Sequence, residues 1–81
     1  MENIERYQNP TKKSIIGIIN ILEKSNVLMT IEEIKNEINL HPYTIEDIID
    51  FLVKLDKIEI QKTAKSNLYK WKSKKENDNS N

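Results

Sequence analysis

Residues 30–60, TIEEIKNEINLHPYTIEDIIDFLVKLDKIEI, carry two runs of apolar side chains at helical spacing, with only a few residues between them. Thr30 lies three residues before Glu33, and Thr44 lies three residues before Asp47, which is the spacing of a helix-capping box. In that arrangement the Thr hydroxyl accepts a hydrogen bond from an amide that the first helical turn leaves without a partner. The stretch therefore predicts two helices, each starting just after one of these threonines.

The connection between the two predicted helices is a tight turn. Asn39 is suited to the left-handed conformation that ends many helices, and Leu40 can fold back on the helix before it. Pro42 prevents that helix from continuing, because proline has no amide hydrogen to donate. The residues before the two capping threonines are placed as hydrophobic staples, Met29 on Ile34 and Tyr43 on Ile48. Two helices joined in this way form a helix-turn-helix.

The composition limits the chain to one small domain. Its 81 residues are 37% hydrophobic, with one Gly and two Pro, which is typical of a helix-rich globular protein. The absence of Cys excludes disulfides, thiolate catalysis and Cys-ligated metals, and it favours a reducing, cytoplasmic setting. The N-terminus lacks the basic and then apolar order of a signal peptide, and the longest apolar run, residues 15–22, is too short to cross a bilayer. We therefore expect no contact with a membrane.

The net charge is zero, but the charges are separated along the chain. Residues 1–53 carry five basic and nine acidic side chains, whereas residues 54–75 carry eight basic and two acidic ones. This separation bears on partners more directly than the total charge does, because each segment presents its own field to another molecule. An anionic partner would therefore be attracted mainly to residues 54–75.

Further elements flank the two helices. A first helix is predicted from Pro10 to about Lys24, with Asn9 as its cap. Its apolar arc is wide, so this helix is either the centre of a three-helix core or, along one edge, a homodimer interface. Residues 27–29 are long enough only for a short strand. After the third helix the apolar spacing becomes alternating, which predicts a β-hairpin with its turn at residues 64–67.

These periods assign a buried face to each element. The second helix is expected to bury Ile31, Ile34 and Ile38, and the third helix, residues 45–56, to bury Ile45, Ile48, Ile49, Leu52 and Leu55. In the hairpin, Tyr69 and Trp71 are the expected cross-strand partners of Ile58 and Ile60, which leaves Leu68 exposed. The predicted fold is mainly α with a small antiparallel β-hairpin. It comprises an N-terminal extension at 1–9, the domain at 10–72 and a polar, disordered tail at 73–81.

The order helix, short strand, helix, turn, helix, hairpin resembles that of the winged helix-turn-helix superfamily over about residues 10–72. The segment LHPYTIEDIIDFLVKLDKIEI looks like the turn, recognition helix and first wing strand of small bacterial and archaeal regulators of the multiple-antibiotic and arsenic-repressor types. The resemblance implies a homodimer that binds double-stranded DNA, in transcription control or in plasmid or phage maintenance. Those regulators usually have Gly at the end of the recognition helix, where this chain has Ile58 after Asp56 and Lys57.

A second departure concerns the charge of the third helix. In members that read DNA, the exposed face of this helix enters the major groove, but here it carries Glu46, Asp47 and Asp50, which repel phosphates. Binding would therefore rely on the residues that open the helix and on the lysines that follow it, unless those lysines only form a solvated strand face that deters aggregation. The predicted DNA-binding residues are His41, Tyr43, Thr44, Lys54, Lys62, Lys65, Lys70 and Lys72.

No set of residues in the sequence points to catalysis. His41 is the only His, so it has no companion for a metal site or a nucleophilic triad. The carboxylates of the third helix are too few for a hard-cation site, and one Gly does not make a phosphate-binding loop. We expect no enzymatic activity, no cofactor and no metal. The rival interpretation is a winged helix used for protein contact, with Glu46, Asp47 and Asp50 docked on a basic partner.

Overall fold

A computed structural model describes residues 7–72, which form three helices followed by a two-stranded antiparallel sheet. The helices are α1 (Lys12–Ser25), α2 (Ile31–Glu37) and α3 (Pro42–Lys54), and the strands are β1 (Ile58–Lys62) and β2 (Asn67–Trp71). The predicted mainly α architecture with a small antiparallel hairpin is confirmed. None of these helices has the length and apolarity needed to cross a membrane. The predictions for residues 1–6 and for the tail at 73–81 lie outside the described residues.

α1 starts later than the sequence predicted. The Thr11 hydroxyl accepts from the Ser14 amide at 3.1 Å, and the Ser14 hydroxyl accepts from the Thr11 amide at 2.8 Å. The prediction of Asn9 and Pro10 as cap and first helical residue is wrong, because this reciprocal pair caps the helix at Thr11 instead. At its other end α1 stops at Asn26, whose φ of 52° lies in the left-handed region that Asn tolerates better than most side chains.

α2 begins as predicted and ends differently. Thr30 and Glu33 form the expected capping box, with the Thr30 hydroxyl accepting from the Glu33 amide at 3.1 Å. The left-handed C-cap predicted at Asn39 is wrong. The helix has already ended where the chain becomes extended at Ile38, whose φ is −146°. The turn to α3 therefore starts with extended backbone at Ile38, and the Leu40 amide donates to the Ile38 carbonyl at 3.0 Å within it.

α3 begins before its predicted start. Its cap is His41, whose Nδ1 accepts from the Tyr43 amide at 3.0 Å, and Pro42 is the first helical residue. Proline suits this position, because its fixed φ is helical and its missing amide hydrogen would have no partner there. The predicted cap at Thr44 and the predicted staple at Tyr43 are both wrong, because both residues lie inside the helix.

α3 ends with a left-handed residue that is not glycine. Asp56 has a φ of 63°. Its amide donates to the Val53 carbonyl at 2.9 Å, and the Lys57 amide donates to the Leu52 carbonyl at 2.9 Å. This pair of hydrogen bonds is a Schellman motif, which satisfies carbonyls that the helix end leaves free. Because Asp56 takes the left-handed position, Ile58 can enter β1 with extended backbone.

The core draws on all three helices and on β1. Its buried apolar residues are Ile18, Leu22, Met29, Ile34, Ile45, Ile48, Ile49, Leu52 and Ile58. Each such side chain stabilises the fold by about 1.5–3 kcal/mol relative to leaving it in water. The predicted burial of Leu55 is wrong, because this residue follows the last residue of α3 and is 51% exposed.

The hairpin has the predicted pairing and packs on the helices. Ile58 pairs with Trp71, and Ile60 pairs with Tyr69. The turn spans residues 63–66 and not 64–67. β2 packs on α1, and β1 packs on α3. The hairpin is therefore held against two helices.

A single bridge ties the hairpin to the segment before α2. Met29 and Tyr69 exchange two backbone hydrogen bonds, both of 2.8 Å. The short strand predicted at residues 27–29 is reduced to this one residue. The bridge fixes the hairpin relative to the start of α2, and thereby relative to the helix-turn-helix.

Candidate nucleic-acid interface

The structure divides the predicted DNA-binding residues into two groups that adjoin. His41, Tyr43 and Thr44 lie at the start of α3, and the five lysines lie at the end of α3 and along the hairpin. An open groove lies between the two regions. It is lined by Glu46, three residues after Tyr43 on α3, and by Ser66 and Asn67, which follow Lys65, but by none of the eight predicted residues themselves.

Thr44 is buried and does not reach the surface. It is 1% exposed, and its hydroxyl donates to the Gln8 carbonyl at 2.7 Å and accepts from the Gln8 amide at 3.3 Å. A base edge has no access to a hydroxyl in this position. Thr44 therefore holds the chain that precedes α1, and the prediction that it contacts bases does not fit its burial.

Residues 7–9, which we call the N-terminal strap, cover the first turns of α3. The Tyr7 hydroxyl donates to the Asp47 carboxylate at 2.5 Å, and the Tyr7 ring meets the His41 ring edge-on, with centroids 6.3 Å apart. The hydrogen bond to Asp47 raises the pKa of Tyr7 above its ordinary 10.0, because it stabilises the protonated phenol. No local sequence pattern predicts the strap, because its hydrogen bonds to α3 span 36 and 40 residues.

His41 and Tyr43 remain at the surface beside the strap. The Tyr43 amide uses Nδ1 of His41, so the neutral ring keeps Nε2 as its donor. Tyr43 is 63% exposed, and its ring centroid lies 5.2 Å from that of His41. His41 is half-buried. These two residues are the uncharged side chains that a base edge can meet at the start of α3.

The outward face of α3 is acidic. We give this name to the exposed residues on the side of α3 that points away from the core, which are Tyr43, Glu46, Asp47, Asp50, Phe51 and Lys54. The Asp47 carboxylate accepts from Tyr7, but within residues 7–72 no hydrogen bond or ion pair engages the side chain of Glu46 or Asp50. Three carboxylates on one helix face repel phosphates, so the whole face does not suit insertion into a major groove.

The lysines of the hairpin differ in their surroundings. Lys62 and Lys65 are exposed and Lys70 is half-buried, and none of the three forms an ion pair in the part of the chain that the structure describes. Lys72 instead pairs with Asp56, and this hydrogen bond lowers the pKa of the Asp56 carboxyl below its ordinary 3.8. Three lysines can therefore hold phosphates, while Lys72 already has a carboxylate of its own chain.

One side chain fixes the turn that carries Lys65. The Thr63 hydroxyl accepts from the Ser66 amide at 3.0 Å and from the Lys65 amide at 3.3 Å, and it donates to the Ser66 carbonyl at 2.7 Å. A turn held in this way keeps its shape before a partner arrives, which lowers the entropic cost of binding. Lys65 is thus presented at a fixed tip of the hairpin.

The aromatic residues of the hairpin belong to the core. Tyr69 and Trp71 are half-buried and pack against the buried cluster, as the sequence predicted. Leu68 is half-buried as well, so its predicted exposure is wrong. Residues 58–71 therefore offer a nucleic acid positive charge, without a fully exposed aromatic ring.

Two further observations bear on function. Within residues 7–72, no three His, Cys, Asp or Glu side chains are grouped so as to hold a metal ion. Comparisons with protein-family models, curated proteins and solved structures found no match. A functional assignment therefore depends on the geometry and charge described above.

Proposed function

We propose that this chain is a small winged helix-turn-helix protein that binds double-stranded DNA, in transcription control or in plasmid or phage maintenance. The order α1, Met29 bridge, α2, α3, β1, β2 supports this, because it matches the element order of that superfamily. In the proposal the hairpin is the wing and α3 is the helix nearest the major groove. Pairing of two copies belongs to the same proposal, and Ile16, 51% exposed on α1, is available for it.

The observation that carries the proposal is the set of uncompensated lysines on the hairpin. Lys62, Lys65 and Lys70 have no carboxylate partner within residues 7–72. Each lysine that neutralises a phosphate releases condensed counterions, so binding weakens as salt rises. Three such contacts predict a log–log salt slope of about −2.7 and an affinity loss of about 40-fold between about 50 and 200 mM salt.

The acidic face of α3 limits how the domain approaches DNA. Glu46 and Asp50 repel phosphates, so α3 does not enter the groove along its whole length. His41 and Tyr43, at the uncharged start of the helix, are left to reach base edges. In this proposal the wing supplies most of the affinity, and the start of α3 supplies the sequence preference.

Fluorescence anisotropy with labelled duplexes tests the proposal. The wild-type chain should bind mixed-sequence duplex at about 50 mM salt. Combined Lys62→Glu and Lys65→Glu should weaken binding and reduce the salt slope by about 2. Lys13→Glu with Lys24→Glu is the matched control, since both residues are exposed on α1, and this variant should bind as the wild type does.

Two results would contradict the proposal. The first is that the wild-type chain binds no duplex at about 50 mM salt, where phosphate contacts are strongest. The second is equal weakening by the hairpin variant and the α1 control, because the effect would then follow net charge and not the hairpin.

Protein contact through the outward face of α3 is a second candidate function. It is favoured by Glu46 and Asp50, which are exposed and unpaired within residues 7–72, beside a Tyr43 that is 63% exposed. Replacing both carboxylates with Lys separates the candidates, because a DNA reader would bind duplex more tightly whereas an adaptor would lose a basic partner. Asp47 stays unchanged in this variant, since Tyr7 donates to it.

A further inference from the structure

The outward face of α3 and the hairpin carry opposite charges that are not satisfied within residues 7–72. On α3, Glu46 and Asp50 are exposed without a basic partner, and on the hairpin Lys62 and Lys65 are exposed without an acidic one. Each region also exposes large hydrophobic side chains, Tyr43 at 63% and Phe51 at 48% on α3 and Ile60 at 42% on β1. The chain therefore carries both an acidic and a basic region, and each has the charge that attracts the other.

The two regions lie side by side. Glu46 lines the same groove as Ser66 and Asn67, the residues where the turn enters β2. An acidic region next to a basic region forms a patch that is complementary to its own copy when the copy is turned about a two-fold axis. Such an interface closes on itself, because each partner contributes one acidic and one basic half.

We propose that a second copy of this chain docks on this patch, with the hairpin of each copy on the outward face of α3 of the other. The carboxylates of Glu46 and Asp50 then receive Lys62 and Lys65 of the partner copy as charge-assisted hydrogen-bond donors. With a net charge of zero, two copies approach without overall repulsion. The patch therefore serves self-association in the absence of DNA.

This pairing makes DNA and the second copy competitors for the same lysines. A lysine that holds a phosphate in one complex holds a carboxylate in the other, so duplex DNA should separate the paired copies. The competition rests on the proposed function. The self-association does not, because it needs only the charges of the chain.

Sedimentation velocity of the full chain at high micromolar concentration tests the pairing. The mass at about 1 M salt, where charges are screened beyond about 3 Å, should be half of that at low salt. Glu46→Lys with Asp50→Lys, and separately Lys62→Glu with Lys65→Glu, should each weaken self-association by about tenfold or more. All four substitutions in one chain exchange the two charges, so this variant should pair again.

Matched controls and a folding check accompany these variants. Lys13→Glu with Lys24→Glu, and separately Glu23→Lys with Glu37→Lys, reverse as many charges at exposed positions of α1 and α2 and should leave the pairing unchanged. All of the substituted side chains are exposed, and far-ultraviolet circular dichroism of each variant should match that of the wild type.

Three results would overturn the pairing. They are an unchanged mass between low and high salt, an association that neither patch variant weakens, and a fourfold variant that does not pair. A separate anisotropy titration distinguishes this inference from the proposed function. A chain that pairs through this patch without binding duplex keeps the inference and loses the proposed function. A chain that binds duplex without pairing through this patch does the reverse, because the pairing proposed for α1 is a separate contact.

Discussion

Thr44→Val should detach the N-terminal strap without unfolding the domain. Valine has nearly the shape of threonine, so the buried site stays filled, but the hydroxyl that donates to Gln8 at 2.7 Å and accepts from it at 3.3 Å is removed. The strap keeps only its contacts through Tyr7, with Asp47 and with the ring of His41. The substitution therefore weakens the attachment of the strap to α3 while leaving the packing of the core intact.

The size of the effect follows from the two hydrogen bonds. Each contributes about 0.5–1.5 kcal/mol net, so closure of the strap should lose about 1–3 kcal/mol, a factor of about 5–150 in the closed-to-open ratio. Global stability should fall by less than about 1 kcal/mol, because water reaches the freed backbone groups of the exposed Gln8 and a second methyl replaces a buried hydroxyl.

Amide hydrogen exchange and urea denaturation measure the two effects separately. The Gln8 amide should exchange about 5–150 times faster in the variant, whereas amides of the buried part of α3 should change little. Thr44→Ser is the matched control. It keeps the hydroxyl and loses a buried methyl, so it should retain protection at Gln8 and lose about 1 kcal/mol of global stability. If the Gln8 amide exchanged at the wild-type rate in Thr44→Val, the Thr44 hydroxyl would not be what holds the strap closed.

Three other perturbations have defined outcomes in urea denaturation. Gly17→Ala gains about 1 kcal/mol of helix propensity, but its Cβ would lie 2.8 Å from Ile38 Cδ1. Moving that methyl costs about 0.5–1.5 kcal/mol, so the net change in the free energy of unfolding should be small. In an Ile38→Val background, which lacks this methyl, Gly17→Ala should stabilise by about 1 kcal/mol. Strong destabilisation in both backgrounds would contradict this. Asn26→Gly should stabilise and Asn26→Ala should destabilise, each by about 0.5–1 kcal/mol, because Gly adopts the left-handed φ of 52° at this residue without strain and Ala does not. Equal effects of the two substitutions would argue against a left-handed cap. Lys72→Met should remove a stabilisation that is present above the ordinary Asp56 pKa of 3.8 and is lost as the pH falls through its lowered value. The stability difference between wild type and this variant should therefore shrink as the pH is lowered, and a constant difference would disprove the link.

Local patterns in the sequence were sufficient to predict the elements and the pairing of the hairpin. Thr30 with Glu33 gives the start of α2, and the alternation of Ile58 and Ile60 gives β1. The predicted starts of α1 and α3 are wrong, because a proline and a capping threonine lie close together before each helix and both signal a helix start. Before α3, Pro42 begins the helix ahead of the capping pattern of Thr44, whereas Pro10 lies before the cap of α1. A proline near a threonine therefore does not by itself show which of the two residues begins the helix.

The candidate site was less predictable, because part of it is built by contacts between distant segments. Whether Thr44 faces a partner or the strap depends on Gln8, which lies 36 residues earlier. The pairing of Lys72 with Asp56 depends on how β2 returns to the end of α3. The charge pattern predicts the acidic face of α3 and the basic hairpin, but it does not predict which lysine already has a carboxylate partner.

The single bridge between Met29 and Tyr69 imposes an order on folding. A β-hairpin can form within about 1–10 µs, but an isolated two-stranded ribbon is only marginally stable in water. Tyr69 acquires its second backbone partner only when a long loop has closed and brought Met29 beside it, and closing that loop costs entropy. The hairpin therefore persists only after the helices have assembled, and Lys62 and Lys65 are held in position at the end of folding. Partly folded chains do not present the basic surface in its final shape.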